Sequence, residues 1–158
     1  MTRYAAQTAV SSAKSKAEIE GLVERYGAAQ FFSGWNANCA VIGFTMHGRQ
    51  IKFILTMPDK AAREFTHHSK GARSADAVLA QWEQACRQKW RALLLVIKAK
   101  LEAVESGISV FEDEFLANIV MPGGQLVGEI IRPEIETAYL TDQIAPMLPD
   151  YSSHRGER

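Results

Sequence analysis

The first apolar pattern along the chain has the spacing of one face of a helix. Its members are Ile19, Leu22, Val23 and Tyr26. Ser15 and Glu18 stand at the spacing of a capping box, and Gly27 can end a helix in the left-handed conformation. We therefore predict a helix over Ser15–Tyr26. Residues 1–14 show no period, and we expect them to form a flexible arm or an added edge strand.

Three segments with the patterns of β-strands follow. Gln30–Trp35 is rich in aromatic residues, and Cys39–Met46 is an apolar run of strand length. Arg49–Met57 alternates apolar and polar positions, which predicts one buried and one wet face. His47 and Gly48 favour a tight two-residue turn between the last two segments, because both tolerate positive φ. These patterns predict a three-stranded antiparallel sheet.

A polar segment separates the predicted sheet from a second helical pattern. Lys60–Arg73 contains charged residues and two histidines without an apolar period, and we expect an exposed loop. Ser74 can cap a long helix that runs to Ser106, with Gly107 as its stop. The run Leu93–Ile97 covers the whole circumference of this helix. It predicts that the middle of the helix is buried all round, by the sheet and by either the C-terminal segment or a second subunit.

The C-terminal part of the chain carries signals for several short elements. Ser109 and Glu112 repeat the capping-box spacing and predict a short helix through Leu116. The turn sequence Pro122–Gln125 between apolar positions predicts a small hairpin. A last helix is predicted from about Gly128 to Tyr139, with Pro133 in its first turn or as a kink.

Length and composition agree with one globular domain. The chain has 158 residues, of which 47% are apolar and 23% charged, as is typical of a single core. We predict an α+β domain over residues 15–148: an N-terminal helix, a three-stranded antiparallel sheet, a long central helix packed on the sheet, and a small C-terminal helix-hairpin-helix unit. We expect residues 149–158 to form a disordered tail. The longest apolar stretch, Ala92–Ile97, is far shorter than the about 20 residues that span a bilayer, and the N-terminus lacks the pattern of a secretion signal.

Charge is distributed unevenly although the formal net charge is zero. Residues 47–100 carry a net charge of +7, with eleven basic and four acidic residues, whereas residues 101–150 carry −9, with ten acidic residues and one basic. Such asymmetry is typical of interaction surfaces. The two regions could also pack together and neutralise each other within the fold.

The basic region predicts a nucleic-acid interface. Its candidate residues come from the hairpin, the following loop and one stripe of the long helix, where cations could follow a phosphate backbone. They are Arg49, Lys52, Lys60, Arg63, Lys70, Arg73, Arg87, Arg91 and Lys98. Aromatic residues of the sheet that face solvent, such as Phe32 or Trp35, could stack on bases. The neutral net charge and the absence of a known DNA-binding motif argue against this interpretation.

Three groups of residues have the composition of chemical sites. Glu64, His67 and His68 could bind zinc, but adjacent histidines on a loop do not converge and their spacing matches no zinc motif. The acidic run Glu112–Glu114 lies at a predicted helix start, where negative side chains interact favourably with the helix dipole. The pair Gly123–Gly124 lacks the neighbours of a phosphate-binding loop and favours a turn.

The two cysteines do not indicate catalysis. Cys39 and Cys86 lie far apart in apolar segments, and neither has a histidine close in sequence. We interpret both as small buried thiols, since two cysteines cannot form a disulfide framework or a four-cysteine zinc site. With no nucleophile motif in the chain, we predict no catalytic residue, no metal site and no cofactor, and therefore not an enzyme.

Several stretches of the chain look familiar. They are Ser15–Glu20 with Arg25–Ala28, Ala40–Phe44 through Gly48–Gln50, and Trp82–Trp90 with its continuation to Glu105. In these stretches the chain resembles a family of small, largely uncharacterised proteins of tailed bacteriophages and prophages, and the resemblance covers most of residues 11–148. It implies a viral origin and expression in the cytoplasm of a bacterial host, and it carries over no catalytic residue.

Together these observations predict a phage accessory protein that acts by binding. The first choice is nucleic acid, DNA in particular, through the basic hairpin, loop and helix stripe. The alternative is a viral inhibitor or adaptor that binds a host protein, such as a defence protein, because opposite charges favour fast and selective association. A homodimer through the apolar middle of the long helix is a further possibility.

Overall fold

The computed structural model describes residues 2–144, with side chains from residue 13 onward. Its main body consists of two long helices, α1 and α3, and a three-stranded sheet. Shorter elements follow the sheet and α3. The elements are α1 Thr2–Arg25, β1 Gln30–Trp35, β2 Cys39–Met46, β3 Arg49–Thr56, α2 Arg63–Thr66, β4 His67–His68, β5 Gly71–Ala72, α3 Ala75–Glu105, α4 Phe111–Glu114, a 3-10 turn Leu116–Asn118, and α5 Val127–Thr141. The predicted α+β fold class is confirmed. The predicted tail over residues 149–158 lies outside the described residues.

The sheet is an antiparallel meander in the order β1-β2-β3. Gln30 lies opposite Thr45 at one end of the first pair, and Met46 lies opposite Arg49 at the turn of the second. His47 and Gly48 take φ values of 50° and 71°, as a two-residue turn with positive φ at both central positions requires. The predicted strands and the tight turn are therefore confirmed, except that β3 ends one residue earlier, at Thr56.

One face of the sheet carries the main core. Strand alternation directs Ile42 and Phe44 of β2 and Ile51 of β3 to this face, and all three are buried. α1 and α3 lie side by side over them, and Ile19 of α1 and Ile97 of α3 have no exposed surface. The amphipathic patterns of both helices and of β3 therefore meet in one cluster, as predicted.

The short C-terminal elements close the main core at the end of the β2–β3 turn. Phe115 packs edge-on against Phe44 and Phe53, with ring centroids 5.9 and 6.4 Å apart. The ring of Phe111 lies 4.9 Å from that of His47. Ile119 forms a β-bridge with Ile51, so the segment after the 3-10 turn also pairs with the edge of β3.

Two N-terminal predictions differ from the structure. α1 begins at Thr2, well before the predicted start at Ser15, so the backbone of residues 2–14 is helical and Ser15 lies inside the helix instead of capping it. This segment has no apolar period, but it is rich in alanine, which has the highest helix propensity. Propensity therefore accounts for a helical backbone in a segment without an apolar period.

The segment Lys60–Arg73 is largely exposed, as predicted, but it is not a loop, so that part of the prediction is wrong. It contains α2 and the two-residue strands β4 and β5, which pair with each other. Phe65 of α2 is buried against Trp82 and Cys86 of α3 in a second, smaller cluster. The indole Nε1 of Trp82 donates to the carbonyl oxygen of Pro58 at 2.7 Å. A single buried aromatic residue thus folds a polar segment that shows no apolar period.

α3 agrees with its predicted bounds and differs in its burial. The Ser74 side chain accepts a hydrogen bond from the backbone N–H of Ala77 at 3.3 Å, and Gly107 has a φ of 76°, so the predicted cap and stop are confirmed. The middle of the helix is not buried all round. Leu95 and Val96 are 56% and 45% exposed, because the sheet and α1 cover only part of its circumference.

The predicted C-terminal unit is present in altered form. α4 has only four residues and begins at Phe111 without a side-chain cap, so Ser109 and Glu112 do not form the predicted capping box. A bridge between Val120 and Leu126 replaces the small hairpin. α5 includes the predicted last helix and extends it by one or two residues at each end. No helix in the described part of the chain is long and apolar enough to cross a membrane.

Candidate nucleic-acid interface

The sheet has a second face that no element within residues 2–144 covers. Because alternate residues of a strand point to opposite faces, the residues of this face follow from the strand register. They are Gln30, Phe32 and Gly34 of β1, Cys39, Val41, Gly43 and Thr45 of β2, and Gln50, Lys52, Ile54 and Thr56 of β3. We call this surface the open face. It contains no aspartate or glutamate, and Lys52 is its one charged residue.

An aromatic ring lies flat across the middle of the open face. Phe32 stands opposite Gly43 in the register, and a methyl group at Gly43 would occupy the space of the Phe32 ring. Gly43 is therefore buried although it lies on an uncovered face, and Phe32 stays 38% exposed. The glycine lets the ring lie down on the sheet with its outer side toward solvent.

Lys52 completes the same cross-strand row. It lies opposite Gly43 on β3, so the row runs from Phe32 through Gly43 to Lys52. The carbonyl oxygen of Lys52 accepts a hydrogen bond from Nδ2 of Asn118 at 3.1 Å. The backbone N–H of Val120 donates to the carbonyl oxygen of Gln50 at 2.8 Å. These bonds fix the backbone of β3, so the aromatic ring and the cation are held on a rigid platform.

Apolar side chains extend the open face beyond this row. Gly34, Val41 and Ile54 form the next row, in which Val41 is half-buried and Ile54 is 47% exposed. The row on the other side, which contains Thr45, is polar and uncharged. The open face is thus an apolar platform with hydroxyl and amide groups at one end and a single cation at its side.

The nine predicted cations do not lie on one surface. Lys52 is on the open face, and Arg49 is exposed at the β2–β3 turn, where its guanidinium lies 3.5 Å from the carbonyl oxygen of Gly48. α3 packs on the opposite face of the sheet. The sheet therefore separates Lys52 from the predicted helix stripe Arg87, Arg91 and Lys98.

A second group of predicted cations surrounds α2. Arg63 and Lys70 are exposed, and Lys60 is half-buried. Arg73 has a structural role, since its guanidinium donates to the carbonyl oxygens of Glu64 and Phe65. Arg73 therefore joins α2 to the end of the polar segment, next to the first turns of α3.

The third group is the helix stripe. Arg87, Arg91 and Lys98 lie within about 40° of one another at 100° per residue, and roughly 140° round the helix from the face where α2 packs. All three are exposed and have no ion-pair partner among the described residues. We call Arg87, Arg91, Leu95 and Lys98 the α3 stripe, because the exposed Leu95 lies beside these cations on the same side of the helix.

The acidic C-terminal region neutralises little of this charge within residues 2–144. Lys100 forms an ion pair with Glu114 at 3.4 Å and also donates to the Glu114 carbonyl oxygen at 2.8 Å. Lys100 was not among the candidate cations. Glu112 and Asp113 are exposed in the first turn of α4, as predicted for an acidic helix start.

Comparisons with known proteins add no relative. A scan against protein-family models, a search of curated proteins and a search of solved structures each found no match.

The histidine pair His67 and His68 bonds to neighbouring residues of its own segment. His67 Nδ1 lies 2.9 Å from the Thr66 hydroxyl, and His68 Nδ1 accepts from the backbone N–H of Lys70. No three metal-ligating side chains converge among the described residues.

Cys86 is buried, and burial raises its pKa to about 11. Cys39 is only half-buried, because it lies on the open face, so the prediction that both thiols are buried holds for Cys86 alone.

Sequence reasoning identified part of the open face and missed the rest. Phe32 and Lys52 were candidates, but Trp35 points to the core side of the sheet and is exposed only because it ends β1. Gly43 and Ile54 were missed. A glycine in the middle of an apolar strand indicates a close approach by another group, and the register then identifies that group as Phe32.

Proposed function

We propose that this protein binds single-stranded nucleic acid on the open face of its sheet. The observation that carries the proposal is the row Phe32–Gly43–Lys52: an aromatic ring lying flat on an uncovered sheet, with a cation beside it and no carboxylate on that face. A flat exposed ring stacks on an unpaired base, and a neighbouring lysine attracts the phosphate that follows it.

The shape of the surface favours a single strand over a duplex. Three strands about 4.8 Å apart give a platform roughly 10 Å across, which suits one or two splayed bases. In a duplex the faces of the bases are stacked on one another, so a ring on a flat sheet cannot reach them. Uncharged groups such as Gln30 and Thr45 are suited to hydrogen bonds with base edges at one end of the platform.

The low charge of the open face predicts a weak dependence on salt. Each phosphate neutralised on a single strand contributes a slope of about −0.7 in log affinity against log salt. One or two such contacts, from Lys52 and from Arg49 at the turn, predict that affinity falls about 3- to 7-fold between 50 and 200 mM salt. A protein that used all nine predicted cations would lose affinity far more steeply.

The test is fluorescence anisotropy with labelled single-stranded DNA and RNA, and with a duplex of the same sequence. We expect Phe32→Leu, which keeps an apolar cover on Gly43 but removes the flat ring, to lower affinity about 5- to 100-fold, as loss of one stacked base does. Lys52→Gln should lower affinity less and flatten the salt dependence.

The matched control is the pair Arg87→Gln and Arg91→Gln on the α3 stripe. It removes more positive charge than Lys52→Gln but lies on the other side of the sheet, so single-strand affinity should stay unchanged. The proposal fails if the wild-type protein does not bind single strands at 50 mM salt, or if the stripe variants lose affinity while Phe32→Leu does not.

The resemblance of the chain to small proteins of tailed bacteriophages supports a setting for this function. We propose a phage accessory protein that acts in the cytoplasm of the bacterial host. Single-stranded DNA from viral replication and viral transcripts are both ligands that the open face could bind there. The comparison of DNA with RNA in the anisotropy experiment distinguishes the two.

A further inference from the structure

The contacts of the last helix within the described chain concentrate at its first turn. α5 contacts the 3-10 turn Leu116–Asn118, where Gly128 lies so close to Ala117 that a Cβ on the glycine would meet the Ala117 carbonyl oxygen at 3.0 Å. Beyond this point α5 has no buried residue. Ile135, Tyr139 and Leu140 are 48%, 88% and 80% exposed.

The composition of α5 makes it a poor helix without a partner. Pro133 inside the helix removes one backbone hydrogen bond and clashes with the preceding turn. Its isoleucines and threonines have lower helix propensity than alanine or leucine, and isolated helices of about 15 residues are marginal in water even with favourable sequences. The apolar row Ile131, Ile135 and Tyr139, at spacing i, i+4 and i+8, needs a surface that covers it.

The net charge of α5 indicates the charge of the surface that could cover its apolar row. Glu129, Glu134 and Glu136 against the single Arg132 give the helix a net charge of −2. A second α5 would repel it, since like charges oppose association. The α3 stripe has the complementary character: three cations, with the exposed Leu95 beside them. Both rows follow the i, i+4 spacing that interdigitates when two helices pack.

We propose that two copies of this chain associate, with α5 of each copy packed on the α3 stripe of the other. Ile135 and Tyr139 then cover Leu95, Glu134 and Glu136 of α5 meet the cations of the α3 stripe, and the Tyr139 ring can receive a cation on its face. The contact forms twice in a two-fold symmetric dimer, which helps to reach the about 1,200 Å² of a stable interface. The open face takes no part in this contact.

The first experiment measures the mass of the full chain in solution by sedimentation over a range of concentrations. We expect the wild-type protein to reach about 35 kDa, twice the 17.5 kDa of one chain. Leu95→Glu and Ile135→Glu should each weaken the dimer at least about tenfold, because each buries a carboxylate in the apolar part of the contact.

Two matched controls keep this experiment specific. Val96→Glu changes the neighbour of Leu95 on the same helix, but Val96 lies about 100° further round α3, away from the stripe. Ile108→Glu changes an equally apolar residue that is 82% exposed in the loop after α3. Both variants should remain dimers. All four residues are exposed, so circular dichroism should show wild-type helix content in the two controls and, in the monomeric variants, a loss no larger than the helix of α5.

A charge-swap experiment tests the pairing of α5 with α3. One variant carries Arg87→Glu and Arg91→Glu, and another carries Glu134→Lys and Glu136→Lys. Each alone brings like charges together and should be monomeric. Mixed, the two variants offer opposite charges at both contacts of a heterodimer, which should form.

The proposal is overturned if the wild-type chain stays monomeric at every concentration, if Leu95→Glu leaves the dimer intact, or if the mixed charge-swap variants remain monomers. A dimer that Ile135→Glu breaks and Leu95→Glu does not would mean that α5 meets a surface other than the stripe. Capture of a host protein by α5 of a monomeric chain would also overturn it. Binding of single strands on the open face is measured independently, through Phe32→Leu.

Discussion

A single glycine determines the character of the open face. Any side chain at Gly43 would lift the Phe32 ring off the sheet, although glycine in the interior of a strand normally weakens it. The ring covers the backbone that the missing side chain leaves bare, so Phe32 stabilises the sheet and stays available to solvent. At this position the same contact serves the fold and the proposed site.

Cys86 gives a test of burial through pH. Burial raises the pKa of its thiol from an ordinary value of 9.0 to about 11, so the folded protein keeps it neutral where the unfolded chain ionises it. The neutral buried thiol therefore contributes fully to the free energy of unfolding below about pH 9. This contribution is lost as the pH rises to about 11, and the total loss is on the order of 2–3 kcal/mol. Urea denaturation of wild type and of Cys86→Ala across this range measures it.

The expected result is that wild type loses more stability between pH 9 and 11 than Cys86→Ala does. Cys39→Ala, which removes a half-buried thiol from the open face instead of one from the core, is the matched control for the loss of a cysteine. Parallel pH profiles for wild type and Cys86→Ala would show that the buried thiol does not resist ionisation.

At the scale of elements, several local signals predicted the structure, whereas the two capping boxes at Ser15 and Ser109 did not form. The alternation of β3, the turn at His47 and Gly48 and the cap at Ser74 each depend on a few neighbouring residues, and all three are confirmed. α2 depends on Phe65, whose partners Trp82 and Cys86 lie far along the chain. A pattern within the segment could not reveal that contact.

The N-cap of α3 offers a test of an element that the sequence did predict. Ser74→Ala removes the acceptor for the N–H of Ala77 and should lower the free energy of unfolding by about 1 kcal/mol. Ser69→Ala, in the exposed turn between β4 and β5, should change it by less than about 0.5 kcal/mol. Equal effects of the two substitutions would mean that the cap does not stabilise α3.

At the scale of the molecule, the sequence showed the excess of charge but not its arrangement. The nine predicted cations lie in three groups because a sheet and a helix stand between them, and distance along the chain gives no information about faces. The candidate site could be predicted only in part: Phe32 and Lys52 were candidates, whereas their alignment across Gly43 follows from the strand register. The exposure of α5 could not be predicted either. An apolar period predicts that a helix face is buried, but it does not say which surface buries it.

The molecule has two apolar clusters of unequal size, which predicts unequal local stability. The small cluster of Phe65, Trp82 and Cys86 holds residues 62–72 against the start of α3, whereas the main cluster joins α1, α3 and the sheet. Segments with few buried contacts open at lower free energy than the core. We expect backbone amides of α2 and β5 to exchange with deuterium faster than those of β2, measured by mass spectrometry.

A matched substitution checks the cause of this difference. Phe65→Ala should accelerate exchange in residues 62–72 and leave β2 almost unchanged, because the second cluster is separate from the main core. If Phe65→Ala accelerates exchange equally in both regions, the two clusters unfold as one unit and the division is wrong.

The central claim is that the open face of the sheet is the binding surface, and amide chemical shifts test it most directly. A short single-stranded oligonucleotide is added to the isotopically labelled protein, and the backbone amide signals are followed. The account predicts that the largest shifts occur in the row Phe32, Gly43 and Lys52, with little change along Arg87 to Lys98. Shifts that concentrate on the α3 stripe, or no shifts at all at low salt, would contradict it.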